Sequence, residues 1–301
     1  MSKPKSNNAK TISVALTLCL VCSVLVSAVA VGLKPAQIEN ARLDRNKNIL
    51  VAAGMYNAES DTASDVAERF KDFDVEIIDL NTGDYLDDDA LKAAGIPDRN
   101  AYDASQATKN QALSEDLGDN DPAGIGRKPK YAKVYVKSDD AGNPELVVLP
   151  IQGYGLWGTI YGFLTLESDM NTIKGISFYE HKETPGLGAR IEEPEWRAQW
   201  SGIQSYDEDG NVATGVTKAG TPKDNWVDGI SGATLTGRGV SNMIQFWLGE
   251  QGYKPYLDKL RQDSGQTIDN ADTQASQATL TAEPNTELAA PVANGKEAYH
   301  G

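Results

Sequence analysis

The run Thr159-Ile160-Tyr161-Gly162-Phe163-Leu164-Thr165-Leu166 is followed, after a polar turn over residues 168–171, by Ile173-Lys174-Gly175-Ile176-Ser177-Phe178-Tyr179. Both runs are rich in β-branched and aromatic residues and the link is too short for a helix, so they read as an antiparallel hairpin. Upstream, residues 131–136 and 146–151 repeat the pattern around Asp139-Asp140-Ala141-Gly142-Asn143, a turn-forming run. Two hairpins in succession make an antiparallel meander, and a β-α-β alternation is excluded over this stretch. Residues 75–80 predict one more strand, closed by Asn81-Thr82-Gly83.

Outward from the meander, residues 234–248 predict the best helix of the chain. Val240, Met243, Ile244, Trp247 and Leu248 fall on one stripe, and Gly249 and Gly252 follow it. Trp196 and Trp200 stand four apart after Pro194, which suits the first turn of a short helix. Residues 35–54 and 60–70 predict two further helices. Residues 84–128 are polar and rich in Asp, Ala and Asn, and predict a long loop with a helical turn or two. Residues 263–301 lack hydrophobic periodicity and predict a disordered tail. The fold class expected is therefore α+β, an antiparallel sheet with helices behind a single N-terminal span.

That span is residues 11–33, uncharged and mostly Val, Leu and Ala, long enough to cross a bilayer as a helix. Lys3, Lys5 and Lys10 precede it with no acid, which predicts a cytoplasmic tail over residues 1–10 and the rest of the chain on the far side of the membrane; Arg42, Arg45 and Lys47 weaken that asymmetry. Ala28-Val29-Ala30 has the form of a signal-peptide cleavage site, but the apolar run is longer than a usual signal core, which favours a retained anchor. Cys19 and Cys22 lie inside the run and read as small apolar residues of a span rather than a redox pair. With 43 Asp+Glu against 28 Lys+Arg, the formal charge of −15 excludes a nucleic-acid partner. Two Cys and two His are too few for a four-cysteine zinc site or an iron–sulfur cluster held by this chain alone.

Three stretches carry chemistry. Gly153-Tyr154-Gly155-Leu156-Trp157-Gly158 spells G-x-G-x-x-G, but strand residues follow it where a dinucleotide site needs a helix N-terminus. Its glycines read instead as places where backbone lies close to a flat ligand or a neighbouring element, and Trp157 as core or as a ring-stacking wall. Gly229-Ile230-Ser231-Gly232-Ala233 approaches the nucleophile elbow of serine hydrolases, but the triad His should follow the Ser, and only His300 in the tail does. The third reading uses the same residues. Small side chains run into the helix at Thr234, where free amides and the helix dipole make an anion site. Ser231, Thr234 and Thr236 offer hydroxyls, and a plain helix cap remains the competing reading.

Asp228-Gly229-Ile230-Ser231-Gly232-Ala233-Thr234 resembles the flavinylation motif of FMN-binding domains, whose last Thr carries FMN through a phosphoester bond. Residues 155–163, residues 179–188 with Glu183-Thr184-Pro185-Gly186-Leu187-Gly188, and Phe246-Trp247-Leu248-Gly249-Glu250 resemble the same family. Within it the chain is most similar to the C subunits of sodium-translocating NADH:quinone reductases, over roughly residues 10 to 262. The G subunits of Rnf electron-transport complexes share the Thr motif and the glycine turn but have no counterpart to residues 84–153.

The resemblance implies an FMN-binding domain over residues 151–262 on a membrane-proximal segment, residues 34–150. It implies covalent FMN on Thr234, with Ser231, Gly232 and Ala233 at the phosphate. Trp157 and Leu187 are the implied walls for the flavin ring; Thr184, Gly186 and Gly188 are its implied edge contacts. Lys218 is open between stabilising a reduced flavin and a solvated surface position. Asp228 is implied in what the flavin transferase reads or in shaping the turn. His181 and Glu183 are open between the pocket and a loop cap. The function implied is electron relay within an inner-membrane complex, with the other subunits, the flavin transferase and membrane lipid as partners and the main domain periplasmic. The alternative of another class is a membrane-anchored binding module with no redox role.

Overall fold

The computed structural model describes residues 8–263. Helix α1 runs without a break over Asn8–Ala52 and carries Pro35 inside it. No boundary therefore separates residues 11–33 from the helix expected over residues 35–54, and the apolar segment and the helix that docks on the domain are one rod. It is long and apolar enough to cross a membrane. Its first part is exposed, Cys19 and Cys22 included, whereas Ile49, Leu50 and Ala52 near its end are buried.

Helix α2 (Ala63–Arg69) starts later than residue 60 because Thr62 caps it. The Thr62 hydroxyl accepts from the Asp65 amide, and the Asp65 carboxylate accepts from the Thr62 amide. Strands β1 (Asp74–Asp79), β4 (Tyr131–Ser138), β5 (Pro144–Tyr154), β6 (Thr159–Glu167) and β7 (Ile173–Glu180) form one antiparallel sheet in the order β1-β4-β5-β6-β7. The expected meander is present. The boundary expected between residues 150 and 151 falls inside β5, and the sheet joins the segments on either side into one fold. Residues 84–128 hold the expected helical turns, as α3 (Asp88–Ala93) and α4 (Ala104–Ala107), and in addition strand β2 (Ser114–Asp116), which pairs with β3 (Arg127–Pro129). Asp87 and Asp103 cap the two helices with side-chain acceptors, so short polar sequence becomes ordered turns.

Strand alternation gives the sheet two apolar faces. Val147, Leu149 and Ile151 point into the larger core with Leu164 and Ile176, and Leu146 and Val148 point the other way to Ile49, Leu50, Val66 and Phe73. The larger core is covered by α5 (Pro194–Ala198), α6 (Thr234–Trp247) and α7 (Lys254–Asp263). All five stripe residues of the α6 region are buried, and each aliphatic one contributes roughly 1.5–3 kcal/mol over its exposed state. Asp263 belongs to α7; residues 264–301, the rest of the expected tail, lie outside the described residues.

Two glycines set how closely α6 crosses β5. A Cβ on Gly153 would lie 2.7 Å from Met243 Cβ, and one on Gly239 would lie 2.5 Å from the Tyr154 carbonyl oxygen. On the opposite face, Ser177 Oγ donates to the Asn48 carbonyl at 2.8 Å, pinning the end of α1 on β7.

Candidate functional site

The β5–β6 hairpin closes over Gly155–Gly158, where the Gly155 amide donates to the Gly158 carbonyl at 2.8 Å. Against this turn lies the buried carboxylate of Glu183. Its Oε1 accepts from the amides of Leu156 (2.9 Å) and Trp157 (3.1 Å), and its Oε2 accepts from Thr236 Oγ1 (2.6 Å). One side chain thus ties the hairpin turn to the first turn of α6. Space for it exists because residues 155 and 188 have no side chain. A Cβ on Gly155 would sit 2.5 Å from Glu183 Oε1, and one on Gly188 2.8 Å from Oε2.

The loop carrying Glu183 folds back on itself. The amides of Leu187 and Ala189 both donate to the Thr184 carbonyl at 3.1 Å, with Gly186 at φ +73° in the turn. Thr184 Oγ1 accepts from Trp157 Nε1 at 3.1 Å. At the root of the loop the Glu183 amide donates to His181 Nδ1 (3.1 Å), and His181 Nε2 lies 2.9 Å from Glu192 Oε1.

Helix α6 begins at Thr234 with Ala233 as its cap, and among the described residues no side-chain cap hydrogen bond is made to its first turn. Those amides and the positive end of the dipole face outward at an exposed Thr234 hydroxyl, a geometry that favours an oxyanion. The approach to α6 is held from below. The Asp228 amide donates to Gln199 Oε1 (3.0 Å), its carbonyl accepts from Trp196 Nε1 (2.9 Å), and its Oδ1 accepts from the Gly220 amide (2.9 Å). Gly229 nests against Thr217–Ala219, where a Cβ would lie 2.3 Å from the Thr217 carbonyl oxygen.

The structure brings Trp157, Thr184, Leu187 and Gly188 to the N-terminus of α6 with Gly232, Ala233 and Thr234. A Cβ built on Gly232 would lie 3.2 Å from Leu187 Cδ2, so the loop touches the motif directly. Ser231 is exposed beside them. Asp228 and Lys218 are not part of this group. The Asp228 carboxylate turns to the Gly220 amide, and the Lys218 side chain is exposed with no partner among the described residues. Thr236 and Glu183 join the site as its internal tie, which residue-by-residue sequence reading left undecided.

The surface here is unusually apolar for a water-facing one. Trp157 (61 % exposed), Leu235 (51 %) and Leu187 (44 %) lie open around Thr234, with Leu156 and Tyr154 on the adjoining turn. Large exposed side chains next to uncapped amides suit a ligand with a flat apolar body and an anionic end. FMN is such a molecule, and the residues present fit it.

The sequence profile described as FMN-binding domain matches residues 155–249. The chain is 40 % identical over 266 residues to the C subunit of the Na(+)-translocating NADH-quinone reductase of Yersinia pestis, an alignment spanning 86 % of this chain and 96 % of that one. Among solved structures it is similar to Shewanella oneidensis NqrC, with 33 % identity, a TM-score of 0.64, and 74 % of this chain and 99 % of that chain covered. It is also similar to the C subunit of the Na(+)-translocating NADH-quinone reductase of Parabacteroides distasonis, with 26 % identity, a TM-score of 0.57, and 75 % and 96 % covered.

Proposed function

The chain belongs to the family of C subunits of Na(+)-translocating NADH-quinone reductases, and from that premise we propose that it carries FMN on Thr234 as a phosphoester and relays electrons within such a complex. As a subunit, it has the other subunits of the reductase as partners. The observation that carries the assignment is the exposed Thr234 hydroxyl at an uncapped helix N-terminus, flanked by Trp157 and Leu187.

Attachment needs a nucleophilic oxygen, and Thr234 Oγ1 supplies it. With FAD as donor and a flavin transferase as catalyst, Oγ1 would bond to the phosphorus of the FMN half, with AMP leaving and the hydroxyl proton released. The resulting phosphodiester would keep one negative charge, which the first-turn amides of α6 and the Ser231 hydroxyl would hold. Bound FMN supplies reversible electron uptake and release. Around it, Trp157 and Leu187 offer apolar contact, and Thr184, Gly186 and Gly188 offer polar edges and close backbone. Asp228 shapes the approach to α6 through the Gly220 amide. Helix α1 anchors the chain in the inner membrane, with the amino terminus cytoplasmic and the flavin-bearing domain periplasmic.

The test is expression with a flavin transferase and inspection of a denaturing gel under ultraviolet light. The expected result is a fluorescent band at the mass of this chain that Thr234→Ala abolishes. A fluorescent band surviving in that variant overturns the assignment.

A further inference from the structure

The β4–β5 ladder runs from Tyr135 opposite Val148 toward Ser138 opposite Pro144, and no pair is formed on the other side of Tyr135. Two residues beyond Val148 stands Pro150, which has no N–H to give to a ladder. The strands part there, and the gap is a cavity of about 390 Å³ that opens on the face where α1 docks. That volume is within the range of small-molecule sites. It shares no lining residue with the group around Thr234.

Its lining carries three cationic side chains, Arg45, Lys109 and Lys133, against two carboxylates. Lys133 is 7 % exposed and spends one N–H on the Asn100 carbonyl at 2.8 Å, leaving two. Burial and the nearby Arg45 together push its ammonium pKa down to about 8, against the opposing pull of Asp103 and Asp98. Arg45, from α1, lines the same cavity together with Tyr135 and Tyr179. Tyr135, Tyr161 and Tyr179 line the space, and their hydroxyls have no hydrogen-bond partner among the described residues. The two carboxylates are Asp103 and Glu180. Asp103 is engaged: its Oδ1 accepts from the amides of Ser105 and Gln106 and from Ser105 Oγ at the start of α4.

We propose that this cavity is a second ligand site, which takes a small organic phosphate, with the oxyanion between Arg45 and Lys133 and the apolar body against Phe163 and Pro150. A guanidinium fork, two ammonium N–H groups and three phenolic hydroxyls exceed the roughly four lone-pair sites of a carboxylate and match the three terminal oxygens of a phosphate. A phospholipid headgroup presents similar chemistry from another source. Position argues against it. Arg45 lies twelve residues beyond Leu33, or about 18 Å along α1, whereas the headgroup layer adds only about 5–8 Å to each side of the hydrocarbon.

The experiment is calorimetric titration of the full chain in detergent, with FMN attached, using phenyl phosphate as probe. Inorganic phosphate and dihexanoyl phosphatidylglycerol below its micelle concentration serve as parallel arms. Saturable one-to-one binding of phenyl phosphate is expected, tighter than that of inorganic phosphate, and weakened about tenfold by Arg45→Gln and by Lys133→Met. Arg45 is exposed, so its variant keeps the fold even where loss of the buried lysine does not. No saturable binding at millimolar phenyl phosphate means that the cavity holds water only, and overturns the proposal. Binding unchanged in Arg45→Gln, or binding of the lipid alone, overturns it as well. The outcome is separable from the flavin assignment, because Arg45→Gln leaves the fluorescent band on the gel intact.

Discussion

Thr236 Oγ1 donates to Glu183 Oε2 at 2.6 Å, and this buried contact joins the loop after β7 to the helix that begins at Thr234. The other oxygen of the same carboxylate holds the Leu156 and Trp157 amides. The relative positions of Trp157, Leu187 and Thr234 therefore depend on a residue that presents nothing to the surface.

Glu183→Ala leaves three donors without their acceptor, the Thr236 hydroxyl in a buried place and the Leu156 and Trp157 amides in a partly buried one. An unsatisfied buried donor costs about 1–3 kcal/mol, and partial relaxation of the turn offsets some of the sum, so a loss of about 2–4 kcal/mol in urea unfolding is expected. Glu183→Gln keeps an acceptor oxygen for the turn amides and loses less. An alanine variant as stable as the parent would remove Glu183 as the tie of the site.

Gly188→Ala and Gly186→Ala separate crowding from backbone strain. At position 188 the new Cβ would sit 2.5 Å from Thr236 Oγ1 and 2.8 Å from Glu183 Oε2, forcing that hydrogen bond apart at a cost of about 1–3 kcal/mol. At position 186 space is open, and the cost is that of φ +73° alone, about 1–2 kcal/mol. Flavin attachment falls further in Gly188→Ala than in Gly186→Ala; the reverse order in a fluorescent-gel assay contradicts this geometry.

Thr234→Ala changes an exposed residue that makes no side-chain cap, so the unfolding free energy of the flavin-free chain changes by no more than about 0.5 kcal/mol, as is usual for surface sites. Inside the assembled reductase the same change stops quinone reduction while NADH still reduces the flavin that first takes hydride, as read by stopped-flow absorbance. Quinone turnover that survives in the variant removes the relay role from Thr234.

Stability should depend on pH through Lys133. Its folded pKa of about 8 lies below the ordinary 10.5, so between these values the unfolded chain holds a proton that the folded chain lacks. Stability attributable to this group therefore rises as pH rises through that window. Above about pH 10 the buried tyrosines reverse the trend: burial raises the pKa of Tyr102, Tyr179 and Tyr206, so the unfolded chain loses protons the folded one keeps. Urea midpoints measured across this range should climb and then fall, and Lys133→Met should flatten the climb while leaving the fall.

Local sequence was informative wherever one element decides its own shape. The alternation in residues 159–166 and 173–179 predicts strands that are present as β6 and β7, and the stripe from Val240 to Leu248 predicts the buried face of α6. In residues 84–128 the expected helical turns are present as α3 and α4, but strand β2 was not legible, because it exists only through its pairing with β3 across an intervening loop. Pro35 invited a break between anchor and docking helix, and the helix continues through it.

By itself, then, the sequence determined an antiparallel α+β domain behind one apolar helix, and a Thr at the start of an amphipathic helix after a run of small residues. Periodicity and turn chemistry act over a few residues, and those features need nothing more. Only the tertiary structure decided which distant segments share a surface. Trp157, Thr184 and Leu187 reach Thr234 because the β5–β6 turn and the loop after β7 end at the same edge as α6, and because Gly155 and Gly188 leave room for one carboxylate between them. The cavity between Lys133 and Pro150 was likewise invisible, since a missing N–H becomes a gap only once a partner strand lies opposite it.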